Sequence, residues 1–238
     1  MLLTSGCGGG DGPSSTSQPE PPSAALPDET HAPPSPEAPP PPPATSLPPA
    51  PTTPPDSTQA PALTTAVTES IQLAPTYSPL VASTITAAPY WPVWWGTAKP
   101  VDGVNCLVNG TFHKHALISI YNNGKRLGFP DGIGRVHAGC YHAYEMHVHD
   151  VTGIIHIEAD VPKQFKLGQW FSLWQQRLSR DGTAGLPGPV RFYIIENATI
   201  TRYDGDPYQI ELRPHREVLI VTGSTMSVVP KYQWPSGI

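Results

Sequence analysis

Histidines occupy polar positions in a segment of the chain that alternates polar and apolar residues. In residues 112–121, FHKHALISIY, His113 and His115 share one face of an extended strand, because successive side chains point to opposite faces. The opposite face carries three apolar residues, Ala116, Ile118 and Ile120. The alternation therefore predicts a strand with one face toward a core and a histidine face opposite.

The same pattern recurs in residues 145–158, EMHVHDVTGIIHIE. His147 and His149 share one face of the first strand in this stretch, and apolar residues take the other. In the second strand, His156 and Glu158 lie opposite a run of isoleucine and alanine. Three segments thus combine an apolar face with a histidine face.

The rest of the C-terminal region predicts further strands and a helix. Apolar residues recur at helical spacing, i, i+3, i+4, i+7 and i+11, at Leu167, Trp170, Phe171, Trp174 and Leu178. The later runs RFYIIEN, TITRY and REVLIVTG are rich in β-branched and aromatic residues. We predict an α+β fold in which one helix packs on a single mixed or antiparallel sheet, an arrangement that resembles the β-grasp.

Composition separates the chain into regions. Most of the 32 prolines in the 238 residues precede residue 101, and residues 8–68 contain almost no large apolar side chain. Such a segment buries too little apolar surface to offset the entropy lost on ordering. We predict a disordered Pro/Ser/Thr-rich spacer over residues 8–89 and a folded, histidine-rich domain over residues 90–238.

Residues 1–7, MLLTSGC, resemble the end of a bacterial lipoprotein signal, in which Cys7 becomes the lipidated residue. The segment lacks a basic region, and its apolar run is shorter than the ~7–15 residues of a signal. Either the natural start lies upstream or the resemblance is accidental. The first alternative predicts a lipid-anchored domain in the bacterial cell envelope, held by a long spacer.

Charge and hydropathy limit the partners. The formal net charge is -5 and no Lys/Arg cluster is present, which argues against nucleic-acid binding. No stretch is long and apolar enough to span a bilayer, so membrane attachment is expected through the lipid anchor alone. The sequence identifies no protein partner.

Cys106 and Cys140 are the two remaining cysteines. An even count in an exported domain favours a disulfide between them. A thiolate metal ligand and two free buried cysteines are the alternatives.

The histidine pattern predicts a metal site, because neutral imidazole is the commonest metal ligand and two histidines at i, i+2 can reach one ion. The predicted ligands are His113, His115, His147, His149 and His156. Asp150 or Glu158 would be a further ligand or would accept a hydrogen bond from a ligating ring. Nitrogen ligation favours copper or zinc over magnesium or calcium.

Three functions are consistent with this pattern. The first is an exported domain that binds copper or zinc for capture, delivery or sensing. The second is a metal-dependent enzyme with Glu158 as general base. A His-Glu-x-x-His motif and a nucleophile beside a base are both absent from the sequence, which disfavours an enzyme. The third is an envelope interaction module in which the histidines face solvent and bind no ion.

Residues 101–238 carry motifs that resemble a family of uncharacterised exported bacterial domains, often lipoproteins. The motifs are VDGVNC, FHKHALISIYNNGKRLGFPDGIGR, MHVHDVTGIIHIEA, FKLGQWFSLW and HREVLIVTG. The chain departs from this family at YHAYE, which is longer, and at Val148, where threonine is typical. Because YHAYE lies in the loop that carries His137 and His142, the resemblance implies least about the roles of these two histidines. The resemblance implies an exported domain and no particular activity.

Overall fold

The computed structural model describes residues 70–238, which form four β-sheets, one α-helix and two short 3-10 helices. The 3-10 helices are Ala82–Thr84 and Pro207–Gln209. The α-helix, α1, is Leu167–Trp174. The strands are β1 Gln72–Pro79, β2 Phe112–Asn122, β3 Lys125–Leu127, β4 Met146–His147, β5 Ile154–Ala159, β6 Phe165–Lys166, β7 Gly182–Thr183, β8 Leu186–Pro187, β9 Arg191–Glu196, β10 Thr199–Tyr203, β11 Glu211–Leu212, β12 Glu217–Thr222 and β13 Val228–Gln233.

The main sheet has seven strands in the order β10-β9-β12-β2-β5-β4, with β3 also paired to β2. β2 runs parallel to β12 and antiparallel to β3 and β5, so the sheet is mixed. The predicted α+β class, with a mixed sheet and one helix, is confirmed. Three two-stranded sheets, β1-β13, β6-β11 and β7-β8, accompany the main sheet and were not predicted.

The main core lies between this sheet and α1. The predicted apolar face of β2 is buried there, together with Trp170 and Trp174 of the helix. The helix is shorter than its apolar stripe predicted. It ends at Trp174, where Gln175 adopts a left-handed conformation at φ 61°, so Leu178 lies outside it. Within residues 70–238, no helix has the length and apolar character needed to cross a membrane.

The β1-β13 sheet covers part of the opposite face of the main sheet. Ile71 and Val229 pack there against Leu219 and Val221 of β12. Regular structure therefore begins before residue 90, where the sequence placed the start of the folded domain. The composition of residues 72–79 did not predict a strand, because strand formation there depends on parallel pairing with β13, which is distant in sequence. Residues 1–69, which include Cys7 and most of the predicted spacer, lie outside the described residues.

Candidate metal centre

Three neighbouring strands bring the predicted histidines onto one face of the main sheet. β5 lies between β2 and β4, and its register places His156 opposite both His115 of β2 and His147 of β4. Directly opposed side chains on neighbouring strands have Cβ atoms about 5 Å apart. The three imidazoles therefore form a row across the sheet. In the next row, His113 lies opposite Glu158.

The ring nitrogens form two groups of three that share one histidine. We name the β2 group for His113, His115 and His156, and the β4 group for His147, His149 and His156. Within each group, one ligand nitrogen from every ring lies within 4.8 Å of the others. The distances from His115 Nε2 to His156 Nδ1 and from His147 Nε2 to His149 Nε2 are both 3.1 Å. Ligands of a tetrahedral zinc, at 2.0–2.1 Å from the ion, lie about 3.3 Å apart, so these pairs are close to ligand spacing.

A backbone hydrogen bond determines which nitrogen of His147 can bind a metal ion. Its Nδ1 lies 3.0 Å from the carbonyl oxygen of Tyr144, and a carbonyl can only accept, so Nδ1 donates. In the neutral ring, Nε2 then carries a lone pair. That nitrogen faces His149 and Glu158. A donor bond from the second ring nitrogen is the usual support of a metal-bound histidine.

The electrostatic environment of four of the five rings favours their neutral form. Burial, together with neighbouring imidazoles, lowers the pKa of His115 to about 4 and the pKa of His156 to about 3. Burial also lowers the pKa of His147 and that of His149. Neutral rings offer lone pairs to a cation, whereas protonated rings would repel it.

Glu158 lies between the two groups. Its Oε1 is 3.4 Å from His113 Nε2 and 3.7 Å from His147 Nε2. The carboxylate thus contacts one ring on each flanking strand, because β5 is the central strand of the three. It is placed to accept a hydrogen bond from His113 Nε2 or to bind an ion beside both rings.

Asp150, predicted as a ligand or as the acceptor that orients a ring, forms hydrogen bonds within a turn beside the cluster. Its Oδ1 accepts hydrogen bonds from the backbone N and the Oγ1 of Thr152. It belongs to neither histidine group in residues 70–238. The carboxylate closes the turn that leads from His149 to β5, because an aspartate can bond its own backbone two residues on.

Two clefts reach the cluster. The larger, of about 500 Å³, is lined by His147, His149 and Glu158 of the cluster and by Arg135 and His142 across from them. The smaller, of about 320 Å³, is lined by His149 and His156. The β4 group is therefore open to molecules from outside the protein.

Arg135 is a lining residue that the sequence analysis missed. It lies in an irregular segment between β3 and β4, where no periodicity predicts the direction of a side chain. Its guanidinium donates to Asp131 Oδ1 at 3.2 Å. Its positive charge contributes to the lowered pKa of His149.

Other histidines of the described residues belong to neither group. His137 stacks on Trp95, with ring centroids 4.0 Å apart. His215 borders the β2 group, because its backbone N donates to the carbonyl oxygen of His115 at 3.0 Å, but its ring points elsewhere: Nε2 lies 3.0 Å from the carbonyl oxygen of Ile238. His142 lines the larger cleft beside the β4 group. His31 lies outside the described residues.

Cys106 and Cys140 form a disulfide, with their Cα atoms 5.5 Å apart. The bond confirms the first of the predicted alternatives and excludes a thiolate ligand. Cys106 also forms an isolated β-bridge with Tyr144, the residue whose carbonyl holds His147. The disulfide thus fixes the segment that leads into β4.

Comparisons with known proteins assign no family. The chain matches no protein-family model, no curated protein and no solved structure. The resemblance of residues 101–238 to exported bacterial domains stays a prediction.

Proposed function

We propose that this chain is an exported, lipid-tethered domain that binds copper or zinc ions through the histidines of the β2 group and the β4 group. The observation that carries metal binding is the presence of two histidine groups whose ligand nitrogens lie within 4.8 Å of one another. Three imidazoles supply most of a tetrahedral coordination shell. Nitrogen-rich ligation suits copper(II) and zinc, and disfavours magnesium and calcium.

Capture, delivery or sensing fits the form of the site. Each group offers three histidine nitrogens, and the larger cleft reaches the β4 group from outside. An ion held by three protein ligands keeps a position where another ligand can bind. Such a site can accept an ion from a carrier and release it again by ligand exchange.

Metal analysis of protein purified without a histidine-tag column tests the proposal. The wild-type protein should retain copper or zinc after dialysis. The triple variant His115→Ala, His149→Ala, His156→Ala removes two ligands from each group and should retain none. The matched control His137→Ala removes a histidine outside the cluster and should bind as the wild type does. Absence of metal from the wild type after incubation with either ion would leave a metal-free interaction module as the better account.

Two features support export and tethering. The disulfide is typical of an oxidising compartment, and Cys7 follows small residues as in lipoprotein signals. Incorporation of labelled palmitate in a bacterial host should be seen with the protein expressed from its natural start and lost in Cys7→Ser. Labelling that persists in Cys7→Ser would contradict lipidation at this residue.

A metal-dependent enzyme is the second candidate, favoured by the 500 Å³ cleft that exposes Glu158 beside His147 and His149. Glu158 would act as general base on a molecule bound next to the ion. A panel of esters and phosphoesters should be tested with zinc-loaded protein and with Glu158→Gln. Turnover that Glu158→Gln abolishes while metal is retained would favour the enzyme, and no turnover would favour storage or delivery.

A further inference from the structure

β5 supplies the residues that lie between the two histidine groups. His156 belongs to both groups, and Glu158, two residues later on the same face, contacts one ring of each. The flanking histidines come from β2 on one side and from β4 and the residues after it on the other. The cluster is therefore arranged about β5, with a pair of histidines on each side of a shared imidazole and a shared carboxylate.

A single ion is too small to bind all five rings in this arrangement. At a metal–nitrogen distance of 2.0–2.1 Å, two ligands of one ion are at most about 4.2 Å apart. Neither group of nitrogens within 4.8 Å includes a histidine from the opposite flank. The five imidazoles therefore surround two positions rather than one.

The ring of His156 is placed to serve both positions. Its Nδ1 lies 3.1 Å from His115 Nε2, on the side of the β2 group. Its ring centroid lies 4.5 Å from that of His115 and 4.2 Å from that of His149, so the ring stands between the two flanks. An ion of the β2 group that binds Nδ1 would leave the second ring nitrogen, Nε2, to an ion of the β4 group.

We infer that the cluster holds two metal ions, one in each group, joined by the imidazole of His156 and with the Glu158 carboxylate between them. This inference rests on the proposed function, since it assigns the number and arrangement of the ions bound there. Two ions on opposite nitrogens of one imidazole are about 6 Å apart, from the ring size and the metal–nitrogen distance.

Two negative charges in the cluster would offset part of the charge of two divalent ions. Binding the second ion requires both nitrogens of His156, so the ring releases its remaining proton to solvent and becomes an imidazolate of charge −1. The Glu158 carboxylate contributes a second negative charge next to both groups. The other four histidines bind as neutral rings.

Titration of the full chain with copper(II), followed by equilibrium dialysis and electron paramagnetic resonance, tests the inference. We expect two bound ions. Because an imidazolate couples the spins of two copper(II) ions, the signal of the doubly loaded protein should be well below that of two isolated ions. The variant His113→Ala, His115→Ala and its counterpart His147→Ala, His149→Ala should each bind one ion, with a full uncoupled signal. The control His137→Ala should bind two coupled ions.

The outcomes separate this inference from the proposed function. One ion per wild-type chain would overturn the two-ion arrangement and leave metal binding intact. Two ions with an uncoupled signal would overturn the bridge through His156. No bound ion would overturn both. The reciprocal variants also exclude loss of folding as the cause, because each must keep the ion that the other loses.

Discussion

The face of the main sheet opposite α1 has two halves that differ in what covers them. Over β9 and β12, the β1-β13 sheet packs on the face, and residues such as Leu219 are fully buried. Over β4 and β5, the face carries the histidines and borders two clefts. β2 passes through both halves, with His115 in the second and Tyr121 in the first. The strand alternation is the same throughout, so the layer above the sheet decides whether a position is core or site.

Two acidic residues on this face have different environments in the two halves. Glu217 lies in the covered half, where burial raises its pKa to about 7. Glu158 lies in the histidine half, partly exposed and in contact with two imidazoles. Burial disfavours the charged carboxylate of Glu217 by more than Ser119 and Arg126 favour it.

Removing the disulfide should have the largest effect on stability. Cys106→Ser with Cys140→Ser opens a loop of 34 residues and should lower the free energy of unfolding by about 4 kcal/mol in the chain-entropy model. Urea denaturation measures this loss. Because the bond fixes the segment before β4, metal affinity should fall as well. A loss below about 1 kcal/mol would mean that other contacts hold this segment.

A core truncation in the covered half should separate folding from binding. Leu219→Ala should cost about 3 kcal/mol, because it leaves a cavity between β12 and the β1-β13 sheet. The number of bound metal ions should stay the same at temperatures where the variant is folded. The exposed His149→Ala should cost less than about 1 kcal/mol in the metal-free protein while reducing metal binding. Loss of metal binding in Leu219→Ala, together with unchanged metal binding in His149→Ala, would contradict the division into two halves.

Stability should depend on pH through Glu217. Its folded pKa of about 7 lies above the ordinary value of 4.5, so the folded state binds the extra proton between these values. The contribution to stability is therefore complete below pH 4.5 and is lost as pH rises through about 7. Glu217→Gln should remove this loss, which is on the order of 2 kcal/mol between pH 5 and 8. Denaturation curves at both pH values, compared with Glu158→Gln as control, measure it. An equal change in the free energy of unfolding between pH 5 and 8 for Glu217→Gln and wild type would contradict the prediction.

The smallest expected effect is that of Asp150. Asp150→Ala removes the acceptor of two hydrogen bonds from Thr152 and should cost roughly 1 kcal/mol of stability. Metal stoichiometry should be unchanged, because Asp150 belongs to neither histidine group in the part of the chain that is described. Loss of an ion in metal analysis of this variant would indicate that Asp150 is a ligand.

Much of the fold followed from local patterns. Alternation in residues 112–121 identified the buried face of β2, and the turn at Asn123 and Gly124, both with positive φ, joins β2 to β3. The end of α1 was placed too late, because Gln175 leaves the helical conformation before the apolar stripe ends. The strand over residues 72–79 was missed because its partner, β13, lies about 150 residues away.

The sequence by itself determined which side chains share a face, because the two-residue period of a strand is a local property of the backbone. It thus grouped His113 with His115 and His147 with His149. The tertiary structure decided that β5 lies between their strands, that His156 belongs to both groups and that Asp150 bonds to Thr152. Strand order and register depend on hydrogen bonds between distant segments, and no periodicity within one segment encodes them.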